Sequence, residues 1–457
     1  MLKVINPATG QAIRELETDT REIVAEKYQR AHQAQKIWAC VSMEDRLSAI
    51  RKFRDLIVQR TEELAKILTS EVGKPIAQSR NELKGLLGRI DFFIENTARV
   101  LREETVFSDP AQKLEEKISH EPLGVIANIS AWNYPYFVGS NVFVPALLAG
   151  NAVLYKPSEF ASLTGLAMAS LLHEAGIPHD VFIPLLGGGE VGAELCRQPL
   201  AGVFFTGSYP TGQKIAEAAA KGLMKAQLEL GGKDPIYVAD DADASAVAEG
   251  IADGAFYNCG QSCCSVERIY VHEKVYDAFV AAFLASVKTF VVGDPLDEKT
   301  YIGPLTRREH LEVLEQQVSD AVSKGATLLC GGKRMAGPGF YFEPTVFVDV
   351  NHSMELMREE TFGPMIGIQK VSGDAEAIRL MNDTAYGLTA GVYSKSRERA
   401  AAILTEINSG SVYWNCCDRV SPRLPWSGRG HSGVGTTLST YGIQTFVQPK
   451  AWHLRGS

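Results

Sequence analysis

The chain has 457 residues, of which 45% are hydrophobic and 22% charged. At roughly 100–200 residues per domain this length means two or three domains, and the ordinary composition excludes a disordered chain. A net charge of −8 leaves no basic excess for a nucleic-acid backbone or an anionic membrane surface, so neither is expected as a partner.

Taken in chain order, the first hundred residues predict helix: Thr20–Gln35, Glu44–Glu71 with apolar residues three and four apart, and Glu82–Leu101. A charged stretch, Gln112–His120, interrupts. From Leu123, short apolar runs (Val125–Ile129, Ala152–Tyr155, Val181–Leu186, Val203–Phe205, Ala226–Leu230) alternate with helical patterns at Phe137–Ala149, Ser162–Ala175, Gly189–Cys196 and Thr211–Lys221. Such alternation predicts βαβ units and a parallel sheet. A second series runs from Pro235–Val238 through Arg268–His272, Ala278–Thr289 and Arg308–Lys324 to Thr327–Leu329, so two α/β domains should join near Gly231–Lys233. The tail from Gly433 loses helical pattern, and Phe446–Trp452 is expected as an edge strand or one lent to a neighbouring subunit. No apolar run approaches the 18 or so residues of a membrane span, and Met1–Gly10 has no apolar leader. With eight cysteines that suggest no disulfide framework, a cytoplasmic location is expected.

Three stretches are suited to a nucleotide. Gly187-Gly188-Gly189-Glu190-Val191-Gly192 matches GxGxxG, but the following strand runs into Thr206-Gly207 without the acidic residue that would hold a ribose. The preferred reading is a plain tight turn with close helix packing. Thr206-Gly207-Ser208 opens a helix, where backbone amides suit a phosphate or Ser208 simply caps. Lys156-Pro157-Ser158-Glu159 lies at a strand end, where open α/β sheets bind nucleotides, and Glu159 could hold ribose hydroxyls and repel a 2′-phosphate. The thiol candidate is Cys263, in Asn258-Cys259-Gly260-Gln261-Ser262-Cys263-Cys264. Only a few per cent of an unperturbed thiol is ionised at neutral pH, so it needs donors, a base or a helix terminus, and no His lies close in sequence. A buried, inert cysteine is the alternative. The cysteine and histidine spacings fit no metal site.

In combination, Phe256 to Cys263, with its thiol 34 residues after Glu229 of Glu229-Leu230-Gly231-Gly232-Lys233, resembles the two signatures of the aldehyde dehydrogenase superfamily. Ser130-Ala131-Trp132-Asn133-Tyr134-Pro135, Lys156 to Glu159, Phe205 to Ser208, Glu360-Thr361-Phe362-Gly363-Pro364 and Asn382 to Leu388 are similar to its other motifs, in its order. The resemblance implies an α/β fold: a Rossmann-like NAD-binding domain (1–106 and 123–231), an α/β catalytic domain (232–433) and a small β oligomerisation element (107–122 and 434–457). It implies Cys263 as nucleophile, Glu229 as base for hydrolysis and Asn133 as oxyanion donor. On the cofactor side it implies Trp132, Lys156, Ser158, Glu159, Gly187, Thr206, Gly207, Ser208, Leu230, Gly231, Glu360 and Phe362. The expected cofactor is NAD, with NADP possible.

Departures concern the substrate. Many members carry Lys at the place of Val142 and Glu at that of Thr437, credited with relaying protons from the base, so protons here should leave by water or backbone. Succinate-semialdehyde members use arginines where this chain has Asn141 and Tyr257, which argues against that substrate, and betaine-aldehyde members often have Trp at Asn141, which argues against a full aromatic cage. The expected substrate is a polar, hydroxylated or anionic aldehyde met by Tyr134, Asn141, Tyr257, Ser262, Cys264, Arg419, Arg423 and Trp426. Cys264 packs behind the loop or forms an oxidative disulfide with Cys263. A coenzyme A-acylating enzyme, a catalytically silent NAD-binding relative and a cysteine hydrolase without redox remain open. A homodimer or homotetramer is expected through the strands of the oligomerisation element.

Overall fold

The computed structural model describes residues 1–456. It opens with an antiparallel hairpin, β1 (Leu2–Asn6) and β2 (Gln11–Leu16), where helix was expected. Most of β2 is exposed and lacks the apolar alternation that betrays a strand. Four helices follow: α1 (Arg21–Ala39), α2 (Met43–Gln59), α3 (Thr61–Val72) and α4 (Ile76–Val100). The single helix expected over Glu44–Glu71 is broken at Arg60, so its apolar positions form two helices rather than one. Leu47, Ile50 and Phe53 of α2, Leu64 and Leu68 of α3, and Leu83, Leu86, Ile90 and Phe93 of α4 share one buried core. The charged stretch after α4 is not a loop. It supplies strand β4 (Leu114–Pro122), paired antiparallel with β3 (Glu104–Asp109).

The first parallel sheet contains β5 (Val125–Ile129), β6 (Ala152–Lys156), β7 (Phe182–Pro184), β8 (Gly202–Thr206) and β9 (Lys225–Glu229), ordered β9-β8-β5-β6-β7. Helices α5 (Pro135–Leu148), α6 (Ser162–Glu174), α7 (Gly189–Leu195) and α8 (Tyr209–Gly222) connect them. The chain builds from β5 toward β7, then returns to β8 on the other side, so a switch in strand order falls between β5 and β8. Ligand crevices in such sheets open at the carboxyl ends beside this switch.

A second sheet begins five residues after β9. Its order is β12-β13-β14-β11-β10-β15-β16, built from β10 (Pro235–Val238), β11 (Arg268–His272), β12 (Thr327–Cys330), β13 (Thr345–Val348), β14 (Met365–Val371), β15 (Thr389–Tyr393) and β16 (Ser411–Trp414); only β12 runs antiparallel. Helices α9 (Ala244–Phe256), α10 (Tyr276–Val287), α11 (His310–Ser323), α12 (Asp374–Asn382) and α13 (Arg397–Thr405) cover it. The chain then returns: β17 (Gly433–Val434) adds antiparallel to β9 of the first sheet. After the short helix α14 (Ser439–Gln444), β18 (Val447–Arg455) pairs with β4 from Val447↔Pro122 to Arg455↔Leu114. The expected edge strand therefore exists, in a three-stranded sheet β18-β4-β3. No helix among the described residues is long and apolar enough to cross a membrane, and all eight cysteines are free thiols.

Two buried acids organise the helical layer. Glu82 of α4 pairs with Lys74, both side chains fully buried, and its other oxygen accepts the Tyr136 amide at 2.9 Å, fixing the start of α5. Glu71 of α3 accepts the Leu163 and Thr164 amides at 2.8 and 2.5 Å, fixing the start of α6. Burial pushes the Glu71 carboxyl up to about 7, against about 4.3 for an unfolded glutamate. Between those values the folded chain holds a proton that the unfolded chain has released, so stability falls as pH rises through that window. Burial pushes Asp234 in the same direction, up to about 8. Urea unfolding is therefore expected to show a higher midpoint at pH 5 than at pH 7.5. Glu71→Gln should flatten this part of the profile by up to about 3 kcal/mol; an unaltered slope in the variant would contradict it.

Candidate functional site

The thiol loop follows α9 directly. Asn258, Cys259 and Gly260 take left-handed φ values of 53°, 59° and 69°. This conformation is strained for the first two and natural only for glycine. A Cβ at Gly260 would collide with the Gly363 carbonyl. The Asn258 side-chain amide stabilises the turn, donating to the Gln261 carbonyl at 3.0 Å and the Asn133 carbonyl at 3.1 Å. The loop carrying Cys263 is thus tied to the segment after β5 that carries Asn133. Cys263 is half-buried, whereas Cys259 and Cys264 are buried. The Cys264 thiol donates to Asp418 Oδ1 at 3.0 Å.

Glu229 ends β9. Its Oε1 accepts from the Thr437 hydroxyl and from Gln227 Nε2 at 3.2 Å, and its Oε2 lies 3.5 Å from the Thr206 hydroxyl. Burial raises its carboxyl above the ordinary glutamate range, opposed by these donors and by the charge of Arg89. Thr437, noted for lacking a relay carboxylate, places a hydroxyl directly on the Glu229 carboxylate.

Cys263, Glu229 and Asn133 line one cavity of about 560 Å³, together with all eight residues expected on the substrate side. Tyr134 and Phe137 stack in parallel, 5.9 Å apart, as one wall. Trp426 is buried and hydrogen-bonds through its backbone to Thr437, while Arg419 and Arg423 are exposed at the rim. Sequence reasoning missed a third wall: Glu82, Gly85, Gly88 and Arg89 of α4 also line this cavity, as do Asp253 and Asp418. A signal existed, because Glu82 and Arg89 fall on the apolar stripe of α4 with Leu86 and Phe93. Charges on a buried stripe need a reason.

A second, larger cleft of about 1210 Å³ opens at the ends of β5, β6 and β8, and Trp132, Lys156, Ser158, Glu159, Thr206, Gly207 and Ser208 line it. Helix α8 opens there with no side-chain cap bond from Ser208, whose hydroxyl instead donates to Thr211 Oγ1 at 3.2 Å; both residues line the cleft. Such an N-terminus suits a phosphate. Ser158 Oγ and Lys156 Nζ approach the Glu159 carboxylate at 3.4 and 3.8 Å. Gly189 and Gly192 also line the cleft, but Gly187 does not; a Cβ at Gly187 would collide with Val191. Gly187 is therefore required for packing, not for lining the cleft. Leu230, Gly231, Glu360 and Phe362 lie outside this lining as well. Phe362 meets Trp132 edge-on at 5.5 Å, and Glu360 accepts the Gly232 amide at 3.0 Å. Burial, then the neighbouring Glu267 charge, pushes the Glu360 carboxyl up to about 8.

Residues 1–452 match the model of the aldehyde dehydrogenase family. The chain is 34% identical over 448 residues to a succinate-semialdehyde dehydrogenase [NADP(+)] of Deinococcus radiodurans, covering 98% of this chain and 93% of the relative. It is 35% identical over 452 residues to a betaine aldehyde dehydrogenase of Cereibacter sphaeroides, covering 98% and 93%. Among solved structures, an NAD-dependent aldehyde dehydrogenase from Sinorhizobium meliloti superposes with a TM-score of 0.96 at 35% identity, covering 99% of this chain and 91% of that one.

Burial pushes the Cys259 thiol up, and the contact with Cys263, followed by burial, pushes Cys264 up. Of the three loop cysteines, Cys263 is therefore expected to be alkylated first by limiting iodoacetamide at pH 7.5, as read by peptide mapping. Earlier labelling of Cys264 would contradict this.

Proposed function

The chain belongs to the aldehyde dehydrogenase family, and on that premise we propose that Cys263, Glu229 and Asn133 oxidise a polar aldehyde to its carboxylic acid with NAD(P). The observation that carries this assignment is the convergence of thiol, carboxylate and amide on one cavity.

The cleft fits a dinucleotide, since it offers the Ser208 and Thr211 hydroxyls at the start of α8 for a phosphate and, at Lys156 and Glu159, groups suited to ribose hydroxyls. Trp132, Ser158, Thr206, Gly207 and Ser208 would complete that site, with Leu230, Gly231, Glu360 and Phe362 at the nicotinamide end. When bound, the nicotinamide supplies an acceptor for the hydride leaving the substrate carbon. The Glu159 carboxylate favours NAD by repelling a 2′-phosphate.

The thiolate of Cys263 attacks the aldehyde carbon and forms a C–S bond. Negative charge moves to the carbonyl oxygen, where the Asn133 amide and the Cys263 backbone N–H donate. Loss of hydride leaves a thioester on Cys263. Glu229 takes a proton from water, the hydroxide adds to the thioester carbon, and the thiolate departs with the acid formed. A buried carboxylate ionises with difficulty, which makes it a better proton acceptor near neutral pH. The proton leaves Glu229 by water or backbone, since Thr437 and Gln227 donate to its carboxylate. Glu229 favours water over coenzyme A as the acyl acceptor.

The charged groups of α4 and the rim arginines support a polar substrate. The three-stranded sheet exposes Val106, Phe107, Trp452 and Leu454, which supports a homodimer or homotetramer joined through its strands. The free thiols support the cytoplasm.

Cys263→Ala should abolish NADH formation while NAD still binds, read by protein fluorescence. Glu229→Gln should retain a burst of one NADH per site and slow steady-state turnover by about 100-fold or more; loss of the burst as well would contradict its role as base. Because Glu229 acts deprotonated and its carboxyl is raised, wild-type kcat should fall as pH drops through a value above the ordinary glutamate range.

A further inference from the structure

Arg89 is 7% exposed and lines the cavity of Cys263. Its Nη1 donates to Asn141 Oδ1 at 3.0 Å, and its guanidinium lies 3.8 Å from the centre of the Phe137 ring. No carboxylate of the described residues pairs with it. Glu82, two turns earlier on α4, is held by Lys74. Burial pushes the guanidinium down to about 10, so it remains charged at neutral pH. The Glu82 and Glu229 charges act on it only through space, and a buried cation with no carboxylate in direct contact is costly unless a ligand supplies one.

The other charged groups of the cavity do not compete for this role. Asp418 accepts the Cys264 thiol and Asp253 accepts the Tyr301 hydroxyl, so both acids already have donors. Arg419 and Arg423 are exposed at the rim. Beside Arg89, α4 leaves space: Gly85 and Gly88 line the same cavity, and a Cβ at Gly88 would meet nothing within 4 Å. Helical glycines cost about 1 kcal/mol each relative to alanine; Gly85 makes room for the Phe137 ring that stacks on Arg89, and Gly88 leaves open space one residue before it. The small Asn141 both admits the guanidinium and orients it.

We propose that Arg89 anchors a carboxylate on the substrate, making the chain an oxidant of short aldehydes that carry this negative group at their far end. The planar guanidinium matches a carboxylate with paired donors. The proposal rests on the aldehyde dehydrogenase reading and narrows its substrate class.

The test compares glyoxylate, 3-oxopropanoate and 4-oxobutanoate, each against its methyl ester, by NADH absorbance. The wild type should prefer the acid at one chain length by about 10-fold or more in kcat/KM. Arg89→Met should lower that preference by about 30-fold or more, chiefly through KM, and Arg89→Lys should restore part of it. Absence of a preference in the wild type, or an equal loss on acid and ester in Arg89→Met, would overturn the proposal. NADH from no aldehyde at all would instead sink the family-based reading. A wild-type measurement covers a variant that does not fold: succinate should slow alkylation of Cys263 by iodoacetamide and succinamide should not, and equal effects would overturn the anchor.

Discussion

Five buried residues, Leu230 to Asp234, join the two parallel sheets, and the site depends on how tightly they are held. Lys233 Nζ reaches Glu267 Oε2 at 2.6 Å and Thr361 Oγ1 at 3.0 Å. Its carbonyl accepts Arg268 Nε at 2.8 Å, and Asp234 takes both the amide and the hydroxyl of Thr389. The strap begins directly after Glu229, the proposed base. A Cβ at Gly232 would lie 2.6 Å from the Cys263 carbonyl, and one at Gly231 would collide with the Glu360 carboxylate. Glycine is thus required twice by contact with the thiol loop and with the segment facing the proposed nicotinamide end. Glu267 closes the circuit by accepting the Thr361 and Phe362 amides at 3.0 Å.

This arrangement explains why so many charges are buried. Lys74–Glu82 and Lys233–Glu267 have side chains at most 5% exposed. Such pairs are seldom a net gain over apolar packing, but removing one partner strands the other. Here each sets the position of backbone near the cavity: Glu82 that of α5, Glu267 that of the segment carrying Phe362. Arg89 and Arg268 have no acid in direct contact, but Arg268 is satisfied by three carbonyls and a hydroxyl, whereas Arg89 donates to Asn141.

The alternating strands and helices from Val125 to Glu229 were legible because each strand is apolar throughout and each helix keeps its period. The hairpin at Leu2–Leu16 and strand β4 were not, because exposed antiparallel strands carry charge and show no burial pattern. The break at Arg60 was hidden, since apolar spacing continues across it. Within the site, Cys263, Glu229 and Asn133 were readable from motifs, and the structure brings them to one cavity. Arg89 was not, because its partner Asn141 lies 52 residues away and only the packing of α4 on α5 makes them meet. Asp418 stood in a loop already singled out for its arginines, yet nothing in its neighbours signalled the Cys264 contact.

Strand β17 extends the first sheet only after the chain has traversed the second, and the Thr437 hydroxyl that meets Glu229 lies 208 residues further along than the base. During synthesis, Glu229 therefore emerges long before the groups that surround it. The first sheet waits with an unpaired edge at β9 while the second is made and folds, an interval in which such an edge is open to wrong pairing. The return of β17 and Thr437 comes late in the chain, and only then is Glu229 enclosed. Vectorial synthesis thus ties completion of the site to completion of both sheets, so a nascent chain holding the thiol and the carboxylate would still lack the finished surroundings of its base.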